Sequence, residues 1–151
     1  MSGIGAVVVV AALAITAVAA WWLRSRSGAV HSPASEGKRV DHASVFDRLG
    51  VRPGDADLTV VQFSSAFCGP CRATRARLQQ LQATRPGLAT LHVDAESHLD
   101  EVRELDVRRT PTLFYLDRDG RLVGRSSGAP RPDELTALVD AHVGGRAGGP
   151  V

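Results

Sequence analysis

The chain of 151 residues contains only two cysteines, and they stand three apart in Ala66-Phe67-Cys68-Gly69-Pro70-Cys71-Arg72. Such a pair can staple a chain, supply half of a metal site, or act as a reagent. As a staple it is weak, because a bridge across two residues closes too small a loop to restrict the unfolded chain much. A zinc site needs two more ligands, and the sequence holds no second C-x-x-C and no paired-histidine motif; His92, His98 and His142 are scattered through different segments. An inert buried pair is the bland alternative. The reading that uses both residues is thiol-disulfide exchange, in which a thiolate attacks a disulfide sulfur and a neighbouring thiol completes the transfer.

That chemistry depends on the elements around the pair. Leu58 to Ser65 is a mostly apolar, β-branched run, as expected of a strand buried on both faces of a sheet. The cysteines follow directly, and Arg72 to Arg85 continues with helix formers that place Leu78 and Leu81 on one side before Pro86-Gly87. A cysteine at a helix N-terminus sees the partial positive charge of unpaired N–H groups, which favours thiolate over thiol and lowers its pKa from about 8.5 towards neutrality. Cys68 is therefore the better nucleophile. Pro70 suits the first turn, where its missing N–H costs no hydrogen bond, and it keeps Cys71 within reach.

The flanking pattern alternates. Ala43 to Leu49 reads as a short helix stopped at Gly50 and the Arg52-Pro53-Gly54-Asp55 turn, and Leu88 to Val93 as a second strand. Ser97 to Val107 reads as a helix with Ser97 as N-cap and Leu99, Val102 and Leu105 as apolar anchors. Thr112 to Leu116 and Leu122 to Arg125 form a hairpin across Asp119-Gly120, and Pro132 to Val143 is a last helix burying Leu135, Leu138 and Val139. The order implies a parallel strand pair followed by an antiparallel hairpin in an α/β domain.

Charge and composition narrow the function classes. The net charge is +2, and Arg24, Arg26, Lys38 and Arg39 against Glu36 account for more than that excess, leaving fourteen basic and fifteen acidic residues from residue 41 onward. No basic stripe interleaved with aromatics is present, which argues against nucleic acid as a partner. Ile4 to Leu23 is twenty residues without a charge, long enough as a helix to span roughly 30 Å of bilayer. Trp21 and Trp22, then Arg24 and Arg26, resemble an interfacial belt and a cationic flank. A cleavable signal peptide competes, with Ala17-Val18-Ala19 as a cleavage site, but Met1-Ser2-Gly3 lacks the usual positive region. The expected organisation is a membrane anchor over 1–23, a flexible linker over 24–40, a folded domain over 41–145 and a disordered tail over 146–151. Cations after the span favour a single-pass protein with its domain on the cytoplasmic side, the outer side being the alternative.

With the elements in order, residues 41–145 resemble thioredoxin. The resemblance rests on Phe63 in the strand, Cys68-Gly69-Pro70-Cys71 at the helix start, Asp94 after the next strand, Thr110-Pro111-Thr112, and Gly128 after the hairpin. It implies a thioredoxin fold, a central mixed sheet flanked by helices, and a cis Pro111. It also implies protein disulfide reduction with no cofactor beyond the cysteine pair: Cys68 forms a mixed disulfide with the substrate, Cys71 resolves it, and a donor such as a thioredoxin reductase restores the dithiol. Thr110, Pro111 and Gly128 would then hold an extended substrate segment. Three positions depart from the family pattern. Phe67 stands where thioredoxins have tryptophan, and Thr110 where many have isoleucine. Gln62 stands where they hold a buried acid, and an amide cannot exchange a proton with a thiol at ordinary pH. Resolution by Cys71 then calls on water or another group, with His92 and Asp94 as candidates. An oxidase or isomerase outside the cytoplasm, and a non-catalytic binding module on the same fold, are the competing functions.

Overall fold

The computed structural model describes residues 2–26, 30–31 and 42–144, with side chains described over 9–21 and 42–144. The elements run α1 (Ser2–Arg26), β1 (Val30–His31), α2 (Ala43–Arg48), β2 (Leu58–Ser64), α3 (Gly69–Thr84), β3 (Leu88–Asp94), α4 (Leu99–Glu104), β4 (Thr112–Asp117), β5 (Leu122–Ser127) and α5 (Pro132–His142). From α2 onward this is the expected alternation. The strands form one mixed sheet in the order β1-β5-β4-β2-β3. Strands β2 and β3 are parallel, while β2/β4, β4/β5 and β1/β5 are antiparallel.

Burial on both sides of β2 explains its nearly continuous apolar run. Val61 and Phe63 point into a cluster with Val45 and Phe46 of α2, Val93, Leu105 and Phe114. Leu58 and Val60 point the other way, against Leu78 and Leu81 of α3 and Leu135 and Val139 of α5. The hairpin turns at Gly120, whose φ of +77° is open to glycine without strain. There Asp117 accepts hydrogen bonds from the backbone N–H groups of Asp119 and Arg121.

The expectations for the helix after β3 are corrected. Helix α4 is shorter than Ser97 to Val107, and Ser97 is not its cap: the Ser97 hydroxyl donates to Asp94 Oδ2 at 2.6 Å, while His98 holds the cap position without a side-chain bond. Of the three anchors, Leu105 is buried, Val102 packs partly buried against the same cluster, and Leu99, at the start of the helix, is half exposed. Within the stretch read as a linker, Val30 and His31 pair with Ser126 and Arg125 at the sheet edge. The remainder of that stretch beyond Arg26, residue 145 and the tail 146–151 lie outside the described residues.

In α1 the described side chains, Val9, Val10, Leu13, Ile15, Val18 and Trp21 among them, are exposed and belong to neither core cluster. Among the described residues no helix is long and apolar enough to cross a membrane; the side chains described in α1 cover 9–21 alone.

Candidate active site

The site begins where β2 ends. The chain leaves Ser64, turns through Ser65, Ala66 and Phe67, and enters α3 with Cys68 as its N-cap in extended conformation. Helix α3 therefore starts at Gly69, so the cysteine motif itself forms its first turn. Pro70 lies in that turn, where no intrahelical partner for its N–H is needed. The Cys71 N–H donates to Cys68 Sγ at 3.2 Å. This is one of the four helix-start donors without a backbone acceptor, and it is directed at the sulfur of residue 68. The two cysteines are joined as a disulfide, with Cα atoms 5.2 Å apart.

Exposure differs along the motif. Phe67 is 99% exposed, an apolar disc standing beside the disulfide, whereas Cys68 retains 8% and Cys71 3%. At Gly69 an added Cβ would meet only the Arg72 guanidinium, at 4.0 Å, so neither close packing nor a positive φ requires glycine there.

Gln62 lies directly beneath. It is fully buried on the α3 side of β2, and its Nε2 donates to the Cys71 carbonyl at 3.0 Å and to Ser64 Oγ at 2.9 Å. The amide thus fastens the first turn of α3 to the sheet. Its Oε1 has no hydrogen-bond partner among the described residues.

The Thr110-Pro111 peptide is cis, as the resemblance implies, and Pro111 is buried. Two bonds position this turn. Gly128, at φ +98°, donates its N–H to the Pro111 carbonyl at 2.8 Å. Thr110 Oγ1 meets Ser65 Oγ at 3.0 Å, and the Ser65 carbonyl accepts the Cys68 N–H. Ser65 therefore couples the cysteine turn to the proline turn. The sequence reading does not single it out, since the two hydroxyls are 45 residues apart and nothing local to either points to the other.

A cleft of about 410 Å3 opens beside the disulfide, lined among others by Cys68, Cys71, Arg72, Arg75, His92 and Asp94. The Asp94 carboxyl is held below its ordinary range, chiefly by the Ser97 hydroxyl and then by the Glu96 N–H, so it serves as a turn residue. His92 is pushed below the ordinary histidine value, first by burial and then by the Arg75 charge. Among the described residues no group of three or more His, Cys, Asp or Glu side chains is arranged to hold a metal ion.

With this geometry in place, the family model described as Thioredoxin matches residues 44–141. A thioredoxin H4-1 of Oryza sativa subsp. japonica is 32% identical over 58% of this chain and 68% of its own length. A thioredoxin of Callithrix jacchus is 31% identical over 70% of this chain and 98% of its own. Among solved structures, mitochondrial thioredoxin 3 of Saccharomyces cerevisiae in its oxidized form superimposes with a TM-score of 0.53 at 27% identity, covering 64% of this chain and 87% of that one.

Proposed function

The chain belongs to the thioredoxin family, and from that premise we propose that Cys68 and Cys71 reduce disulfides in protein substrates, with Cys68 as nucleophile and Cys71 as resolving thiol. The observation that carries this reading is the Cys68 sulfur at the N-cap of a sixteen-residue helix, accepting a backbone N–H, with a second sulfur one turn later at bridging distance. In the reduced protein the same N–H and the helix field favour the Cys68 thiolate.

The cycle follows from that arrangement. The Cys68 thiolate attacks one sulfur of a substrate disulfide, forming a mixed disulfide and releasing the other substrate sulfur as thiolate. Cys71, deprotonated, then attacks the Cys68 sulfur; the bond between Cys68 and substrate breaks, its electron pair leaves with the substrate sulfur, and the Cys68–Cys71 bridge forms. Two electrons have passed from the dithiol to the substrate, and a dithiol-supplying donor such as a thioredoxin reductase returns them. Phe67 offers apolar contact to the incoming protein. The turn at Thr110 and Pro111 offers backbone to an extended segment, in the manner of strand addition, and Gly128 holds that turn in place.

The same proposal attaches the domain to the cell membrane by a single pass through α1, with the domain on the cytoplasmic side. Its support is the uncharged stretch 4–23, followed by Arg24 and Arg26. Insulin disulfide reduction by the full chain, with dithiothreitol as donor, tests the chemistry: the wild type accelerates it and Cys68→Ser does not. Equal inactivity of both folded proteins would favour a binding module. For topology, the cysteine of a Ser35→Cys variant should resist a membrane-impermeant maleimide in intact cells; efficient labelling would place the domain outside.

A further inference from the structure

Three buried side-chain atoms beside the cysteines have no hydrogen-bond partner among the described residues: Gln62 Oε1, His92 Nδ1 and His92 Nε2. Gln62 and His92 are register partners in the parallel β2/β3 pair, so their side chains leave the sheet on the same face, towards α3. The other amide atom of Gln62 is bonded to the Cys71 carbonyl, and His92 lines the same cleft as Cys71 and Arg75, which follow each other by one turn of α3. Buried polar atoms are nearly always satisfied, by protein or by ordered solvent. One unpartnered ring nitrogen and the unpartnered Gln62 oxygen, on adjacent strands, make a donor and acceptor set of the kind that one solvent molecule can bridge.

Resting on the reductase reading above, we propose that His92 is the proton acceptor for the Cys71 thiol in the resolving step, acting through a solvent molecule held between its imidazole and Gln62 Oε1. The Cys71 S–H gives its proton to the imidazole through that solvent. The resulting thiolate forms the bond to Cys68 Sγ as the bond from Cys68 to the substrate sulfur breaks, and the proton passes back through the cleft to the departing substrate thiolate or to bulk water. Nothing else is consumed. Gln62 cannot itself take the proton, but its Nε2 bond to the Cys71 carbonyl orients its own oxygen and the first turn of α3 together.

Asp94, the other candidate, is committed elsewhere: its carboxylate accepts from the Ser97 hydroxyl and the Glu96 N–H, both of which stabilise the charge and weaken it as a base. The charged groups that share the cleft with His92 are Arg72 and Arg75 from α3 and Asp94 from its own strand, while Gln62 and Ser64 of β2 are uncharged. Burial first, and then the Arg75 charge, hold the ring below the ordinary histidine value, towards the neutral form that a base requires, and the arginine charges of the cleft favour the Cys71 thiolate once it forms.

The test separates the two steps in the full chain. Reduced protein is mixed with a peptide disulfide, and formation and decay of the mixed disulfide are followed by acid quench and mass spectrometry. In His92→Asn, formation should be unchanged while decay slows about a hundred-fold, the low end of what a positioned base contributes. The wild-type decay rate should fall as pH drops through the imidazole titration, and that acid limb should vanish in His92→Asn. Adding Gln62→Asp to His92→Asn should restore rapid decay, a rescue that a packing role for His92 would not produce. Equal decay rates in wild type and variant, or a wild-type profile without the acid limb, would overturn the proposal while leaving the reductase reading intact. A wild-type chain that forms no mixed disulfide at all would overturn the reductase reading, and this proposal with it.

Discussion

Phe63 and Gln62 are consecutive in β2 and both are fully buried, yet they face opposite sides of the sheet and do different things. Phe63 meets Phe114 edge-on with ring centroids 5.8 Å apart, and Phe114 meets Phe46 at 5.5 Å; Thr112, the register partner of Phe63, is buried beside them with its hydroxyl donated to the Arg109 carbonyl. The face carrying Gln62 starts equally apolar at Leu58 and Val60 but turns polar towards the end of the strand, where Gln62, Ser64, His92 and Asp94 lie beneath the start of α3. One face of β2 is spent on stability along its whole length. The other gives up packing over its last residues, where Gln62 bonds the backbone of the turn that carries the sulfurs.

Substitutions can break that contrast. The largest effect should come from Phe114→Ala, which removes the ring shared by both aromatic contacts and leaves a cavity; we expect a loss of about 3–5 kcal/mol in denaturant unfolding. Insulin reduction per folded molecule should be unchanged, and a large fall in that activity would mean the two faces are not independent. Gly128→Ala comes next, at about 1–2 kcal/mol, because an L-residue must be forced to φ +98°. Here activity should fall as well, since the Gly128 N–H holds the carbonyl of Pro111. Gln62→Leu should cost only about 1 kcal/mol: two Nε2 hydrogen bonds are lost, but a buried Oε1 with no partner among the described residues is removed with them.

The smallest effect is on the pH dependence of stability. The folded-state value of His92 is depressed by burial and by Arg75, so the unfolded chain binds this proton more readily. Its contribution is complete above the unfolded value of about 6.5 and is lost as pH falls from there towards the folded value. Unfolding midpoints should therefore decline less steeply below pH 6.5 in His92→Asn than in the wild type. Parallel profiles would mean that the ring titrates alike in both states.

The apolar face was the more legible in the sequence. Runs such as Leu58 to Val61 and the Leu78/Leu81 spacing carry their own periodicity, and the Asp119-Gly120 turn is set by backbone preference. The cysteine pair was legible through its spacing, and Gln62 and the cis Pro111 only through the resemblance to thioredoxin. The connections between them were less so. The hydroxyl pair of Ser65 and Thr110 and the placement of Arg75 beside His92 join residues far apart in sequence, and no local pattern encodes a single long-range contact. Ser97 has the right residue type for a helix cap, but Asp94 three residues earlier takes its hydroxyl. The pairing of Val30 and His31 with β5 spans only two residues, too few to impose an alternation amid Ser, Gly and Pro.

Everything proposed for the polar end depends on Cys68 being an accessible thiolate once the bridge is opened. The direct measurement is the rate of iodoacetamide alkylation of each cysteine in the reduced full chain as a function of pH, resolved by peptide mass spectrometry. Cys68 should react first and reach its plateau well below the pH at which a free cysteine does, with Cys71 protected beneath it. A Cys68 rate that climbs with the same midpoint as free cysteine, or prior alkylation of Cys71, would contradict the account.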